Sequence, residues 1–81
     1  MTPDQLRQAL SELNGERDCT FALAGMPDQM ASLTVPNAML VPDEPDHLIK
    51  VTDGQCIYIL VAERIVWVRI GLTAEQKFKA R

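Results

Sequence analysis

The sequence predicts a mainly β fold with an N-terminal α-helix: a five-stranded, bent antiparallel sheet, or small open barrel, in a single domain. Three observations predict it. Apolar residues recur at helical spacing only ahead of Asn14. From Cys19 onward apolar and polar residues alternate with the period of a strand. The last third carries an Asp-Gly hairpin signal between runs rich in Val and Ile.

The helix is expected over residues 3–14. Thr2 is suited to cap it, Pro3 fits its first position, and Gln5 completes a capping box. Leu6, Ala9, Leu10 and Leu13 make one apolar face, and Asn14-Gly15 is the stop signal. A helix of about three turns is not stable alone, so this face must pack on the sheet.

Strands are expected at about 19–25, 30–41, 47–53, 55–62 and 65–71. In the first, Cys19, Phe21 and Leu23 share a face. Gly25-Met26-Pro27-Asp28 reads as a turn. In the second, Leu33 and Val35 oppose Ser32 and Thr34, and Pro36 marks a bend, a bulge or the strand end. Pro42 to Asp46 is an acidic loop stiffened by two prolines, read as a solvated turn rather than a cation site. Asp53-Gly54 predicts a type I′ turn, with the chain returning from Gln55. Glu63-Arg64 is a very short link to Ile65–Ile70. Thr73 opens a second capping box, so a short helical tail is expected over 74–80.

The final strands are apolar on both faces. Ile57, Ile59 and Val61 point one way, and Cys56, Tyr58 and Leu60 the other. A sheet with one wet face would place polar residues at one of these two sets. The expectation is that the helix or another subunit covers the second face. Ile57, Ile59, Val61, Ile65 and Trp67 are the candidate residues of that contact.

Composition bounds the function. The chain has 81 residues, 47% hydrophobic, with net charge −3. A chain of this size buries only about 60% of its unfolded surface and needs unusually good packing, a crosslink, a metal or a partner. An acidic balance does not by itself point to nucleic acid, whose binding rests on clustered Lys and Arg, and the candidates for a local basic patch are Lys50, Arg64, Arg69, Lys77, Lys79 and Arg81. No charged segment followed by an apolar stretch opens the sequence, and the longest apolar run is too short to cross a bilayer. A cytoplasmic protein with reduced Cys19 and Cys56, and no membrane partner, is expected.

No catalytic constellation, metal site or cofactor is expected. His47 is the only histidine, and Asp46 beside it would face the other side of a strand. Cys19, Cys56 and His47 have the ligand types for zinc but no C-x-x-C spacing. All four glycines read as element boundaries rather than a phosphate loop.

The order of elements, a helix and then five strands with a minimal break between the last two, resembles the Sm-like family, and its Hfq branch in particular. Asp46-His47-Leu48-Ile49-Lys50-Val51 looks like the family's third strand. Ile57-Tyr58-Ile59-Leu60 and Arg64-Ile65-Val66-Trp67-Val68 look like its fourth and fifth. The resemblance implies a homo-oligomer, often a ring, whose fourth and fifth strands pair between subunits, and it makes RNA a candidate partner. Tyr58, Lys50 and Arg69 are then the candidate nucleic-acid contacts. Hfq proteins carry Tyr-Lys-His on the fourth strand, whereas Ile59 and Leu60 follow Tyr58 here. Sm proteins carry Asn on the third strand and a later Arg-Gly pair. Here Ile49 or Lys50 lies in the Asn region, and Ala62-Glu63 where Arg-Gly would be. Two functions follow as expectations: a non-enzymatic Sm-like homo-oligomer with RNA as candidate ligand, or a structural adaptor that binds protein and no nucleic acid. For Tyr58 and Trp67 the adopted reading is core or interface, and the competing one is stacking on a base.

Overall fold

The computed structural model describes residues 1–72. Its helix α1 spans Pro3–Leu10. It starts as expected: Thr2 Oγ1 accepts from the Gln5 N–H, and Gln5 Oε1 accepts from the Thr2 N–H, each at 3.1 Å. It ends earlier than residue 14. Both the N–H and the hydroxyl of Ser11 donate to the Gln8 carbonyl, which tightens the last turn and stops propagation. Leu13 is still buried, and Gly15, with φ +87°, donates its N–H to Ala38.

Five strands follow: β1 (Arg17–Leu23), β2 (Ser32–Leu40), β3 (Ile49–Thr52), β4 (Ile57–Leu60) and β5 (Ile65–Ile70). They form one antiparallel sheet in the order β4-β3-β2-β1-β5. The sheet is not closed, so β4 and β5 are its two edges. The helical tail expected over 74–80 lies outside the described residues.

The strands are shorter than the apolar runs suggested, for local reasons. One turn of 3-10 helix at Asp28–Met30 delays β2 to Ser32. His47 takes a left-handed conformation (φ +56°), and Asp46 Oδ1 accepts from the Leu48 N–H, so β3 starts only at Ile49. The expected Asp53-Gly54 turn is instead a four-residue loop. Asp53 Oδ1 accepts from both Gln55 and Cys56 N–H at 2.8 Å, and Thr52 pairs with Ile57. An aspartate that captures the N–H groups two and three residues further on makes an Asx turn and displaces the tighter alternative.

Pro36 marks a bulge. Cys19 pairs with Val35 and Arg17 with Ala38, so β2 carries one extra residue there. Asn37 absorbs it at φ +48°, and its N–H is taken by Asp18 Oδ1 at 3.2 Å. The bulge divides β2 into a half laddered to β1 and a half laddered to β3.

The core lies on one face of this sheet. Leu6 and Leu10 of α1, Cys19 and Phe21 of β1, Val35 and Ala38 of β2, Ile49 and Val51 of β3, and Leu60 and Ile65 are all buried. Helix α1 lies over β2, β3 and the Ala62–Arg64 turn between β4 and β5. The Met1 amino group donates to the carbonyls of Ala62 and Ile65, tying the helix start to that turn.

Candidate interaction surface

The alternation on β4 is as the sequence predicts, but only one of its faces is covered. Leu60 is buried and Tyr58 half-buried, facing Ile49 and Val51 across the ladder. On the other side Ile57, Ile59 and Val61 remain 58–61% exposed. The helix packs on the face that already holds the core, so among the described residues nothing covers this one. At the opposite edge Val66 is 60% and Trp67 46% exposed. Lone exposed apolar side chains are ordinary, but five on the two edges of one small sheet are not.

Ile65 does not belong to this surface. Strict alternation along Ile65–Ile70 would place Ile65, Trp67 and Arg69 on one face. A bulge between Ala22 and Leu23 shifts the β1–β5 register: Leu23 pairs with Ile65, and Ala22 with Trp67. That extra residue turns Ile65 inward, where it is 2% exposed, while Trp67 and Arg69 stay on the outer face. There the Arg69 guanidinium lies 6.0 Å from the Trp67 ring centroid, a cation–π distance. Thr20 and Thr34 share the same face, their hydroxyls hydrogen-bonded at 3.0 Å.

The candidate nucleic-acid residues are not gathered. Lys50 pairs with Ile59 on β3–β4, whereas Arg69 pairs with Thr20 on the far side of the sheet. Lys50 is also already engaged. Its Nζ donates to Glu44 and to Asp46, each at 2.8 Å. These hydrogen bonds raise the Lys50 pKa above its ordinary value and lower that of Asp46. The Tyr58 hydroxyl lies 3.4 Å from Asp53 Oδ2, and the nearby carboxylate raises its pKa. Residues 1–72 hold five Lys and Arg against ten Asp and Glu. The other three cations, Lys77, Lys79 and Arg81, lie outside the described residues.

His47 is exposed, with Nδ1 3.4 Å from both carboxylate oxygens of Asp43, while Arg7 holds Asp43 from the helix at 3.3 Å. Cys19 is buried in β1, where desolvation pushes its thiol up to about 11, and Cys56 is exposed in the β3–β4 loop. Among the described residues no group of three or more His, Cys, Asp or Glu is placed to hold a metal. No described helix is long and apolar enough to cross a membrane.

Two carboxylates give the fold an acid sensitivity. Asp53 is lowered by the N–H groups of Cys56 and Gln55, and Asp46 by Lys50. A depressed folded-state pKa contributes stability that is complete above the unfolded value of about 4 and is lost as pH falls through the folded value. The thermal midpoint should therefore fall as pH drops below about 4. Asp53→Asn keeps an acceptor for the loop but cannot titrate, so it should flatten this decline in a pH series of melting curves. An unchanged slope would contradict the assignment.

No family model, curated protein or solved structure gives a significant match to this chain.

Proposed function

We propose that the chain is a non-enzymatic, Sm-like assembly module whose copies join through the β4 and β5 edges into a homo-oligomer. The exposed apolar side chains at both edges of one open sheet carry this reading. An unpaired apolar strand edge is a template for another strand, and proteins ordinarily blunt such edges with Lys, Pro or a covering element. Strand β4 has none of these: its four residues are Ile57, Tyr58, Ile59 and Leu60. The placement of β4 and β5 at the two edges fits the intersubunit pairing that the Sm-like resemblance implies. Two free thiols fit the cytoplasm as its location.

The charge distribution favours the adaptor form, which binds protein and no nucleic acid. Acidic side chains outnumber basic ones two to one in residues 1–72, and the cation on β3 is held by two carboxylates. RNA binding is kept as a second reading by one feature, the exposed Trp67–Arg69 pair, which has the chemistry to stack a base beside a phosphate. Light scattering on the eluting protein tests the first claim: the mass should be a multiple of the 9.0 kDa chain. A single-chain mass at every concentration overturns self-association. Labelled uridine-rich and adenine-rich oligonucleotides test the second. No anisotropy change at micromolar protein and low salt is expected, and salt-sensitive binding would favour RNA instead.

A further inference from the structure

We propose that the cleft between the end of β1 and the end of β4 binds a short-chain fatty acid, with the acyl chain in the cleft and the carboxylate on Arg64. The site is built by one chain and goes beyond the self-association reading.

The cleft lies where the sheet fails to close. Leu23 and Leu33 line it from the β1–β2 side, and Ile59, Leu60, Val61 and Ile65 from the β4–β5 side. Its volume is about 210 Å³. Leu60 and Ile65 are buried, Leu23 and Leu33 half-buried, and Ile59 and Val61 exposed, so the cleft runs from the surface to the core. Arg64 is the one charged residue among the described residues that line it.

Arg64 is held in place at this cleft. Its carbonyl accepts from the Ala24 N–H at 2.8 Å, which ties the Ala62–Arg64 turn to the end of β1. Its guanidinium lies against Gly25, where a Cβ would meet Nη1 at 3.0 Å. Gly25, at φ +78°, therefore both makes the turn and leaves room for the guanidinium. Arg7, Arg17 and Lys50 each pair with a carboxylate of the chain. Among the described residues Arg64 pairs with none. Glu63 precedes it in the turn but lines the neighbouring depression beside Pro3 and His47.

An apolar cleft with one unneutralised guanidinium suits a ligand with an apolar body and one anionic end. The fork of the guanidinium matches a carboxylate through two parallel hydrogen bonds. On the β1 wall the N–H groups of Leu23 and Ala24 already donate to Ala31 and Arg64, so that wall offers no donor to a peptide backbone. A hydrocarbon chain requires none. The cleft is smaller than the roughly 300–1,000 Å³ of drug-sized sites, so the chain is short.

Calorimetric titration of the full chain with butanoate, hexanoate and octanoate, and with octanol, tests this at neutral pH. It is run at a concentration where light scattering gives a single-chain mass. If the unaltered protein never reaches one, Trp67→Asp is used, because Trp67 does not line the cleft. Edge pairing and ligand binding are then read apart. Each added methylene should tighten binding about fourfold. Octanoate should bind at least about tenfold more tightly than octanol, and Arg64→Gln should remove that difference while leaving octanol binding unchanged. The methyl resonances of Leu23, Leu33 and Ile65 should shift when octanoate is added. Circular dichroism verifies that Arg64→Gln is folded, and if it is not, the methyl shifts and the acid–alcohol comparison in the unaltered chain decide. No binding, an affinity independent of chain length, shifts confined to other parts of the molecule, or an acid–alcohol difference that persists in Arg64→Gln overturns the proposal.

Discussion

Replacing Phe21 with alanine is expected to abolish the cooperative fold or lower its thermal midpoint by more than about 12 °C. Phe21 is the largest fully buried side chain. It lies at the centre of β1, which pairs with both β2 and β5. Truncating a buried Phe costs about 3–5 kcal/mol through lost transfer energy and the cavity left behind. A chain of 81 residues has a total stability of roughly 4–12 kcal/mol, so this one change consumes a large share of it. Thermal melting followed by circular dichroism measures the effect. A midpoint within about 5 °C of the unaltered chain would mean that β1 does not organise the core.

The second large effect separates fold from assembly. Ile59 is 59% exposed and contributes little to the core, so Ile59→Asp should change the stability of a single chain by no more than about 0.5 kcal/mol. In an assembly that buries the outer side of β4, the same aspartate must be desolvated without a partner, at a cost of about 3 kcal/mol. That raises the dissociation constant by about two orders of magnitude. The expected result is a smaller mass with an unchanged dilute-solution melting curve. Trp67→Asp should act in the same way from the β5 edge. A variant whose mass does not change would place the contact elsewhere on the molecule.

The features that were legible in the sequence are those set by local chemistry or by strict alternation. The helix start could be read because Thr2 and Gln5 satisfy each other's backbone groups within four residues. The inward set of β1 and the outward set of β4 could be read because neither segment is interrupted between Cys19 and Phe21 or between Ile57 and Leu60. Parity failed where an extra residue entered. The bulge at Ala22–Leu23 sends Ile65 inward and leaves Trp67 outside, and counting by twos has no way to register it. The helix end and the hairpin turn were misplaced for a shared reason. Ser11 and Asp53 use their side chains to take backbone partners that the regular element would have used.

The candidate surface was legible in part. Ile57, Ile59, Val61 and Trp67 were found from the two-sided apolar pattern, and their exposure follows from the helix packing on the core face. The fate of Lys50 was not legible. Its partners Glu44 and Asp46 lie in a proline-bound loop that had no visible reason to fold back on β3.

Backbone hydrogen exchange at two protein concentrations tests edge pairing most directly. In concentrated protein the amides of Ile57–Leu60 and Ile65–Ile70 that make no bond to β3 or β1 should be protected, and dilution should release them while β2 exchange is unaffected. Rapid exchange of those same amides in concentrated protein would contradict the account.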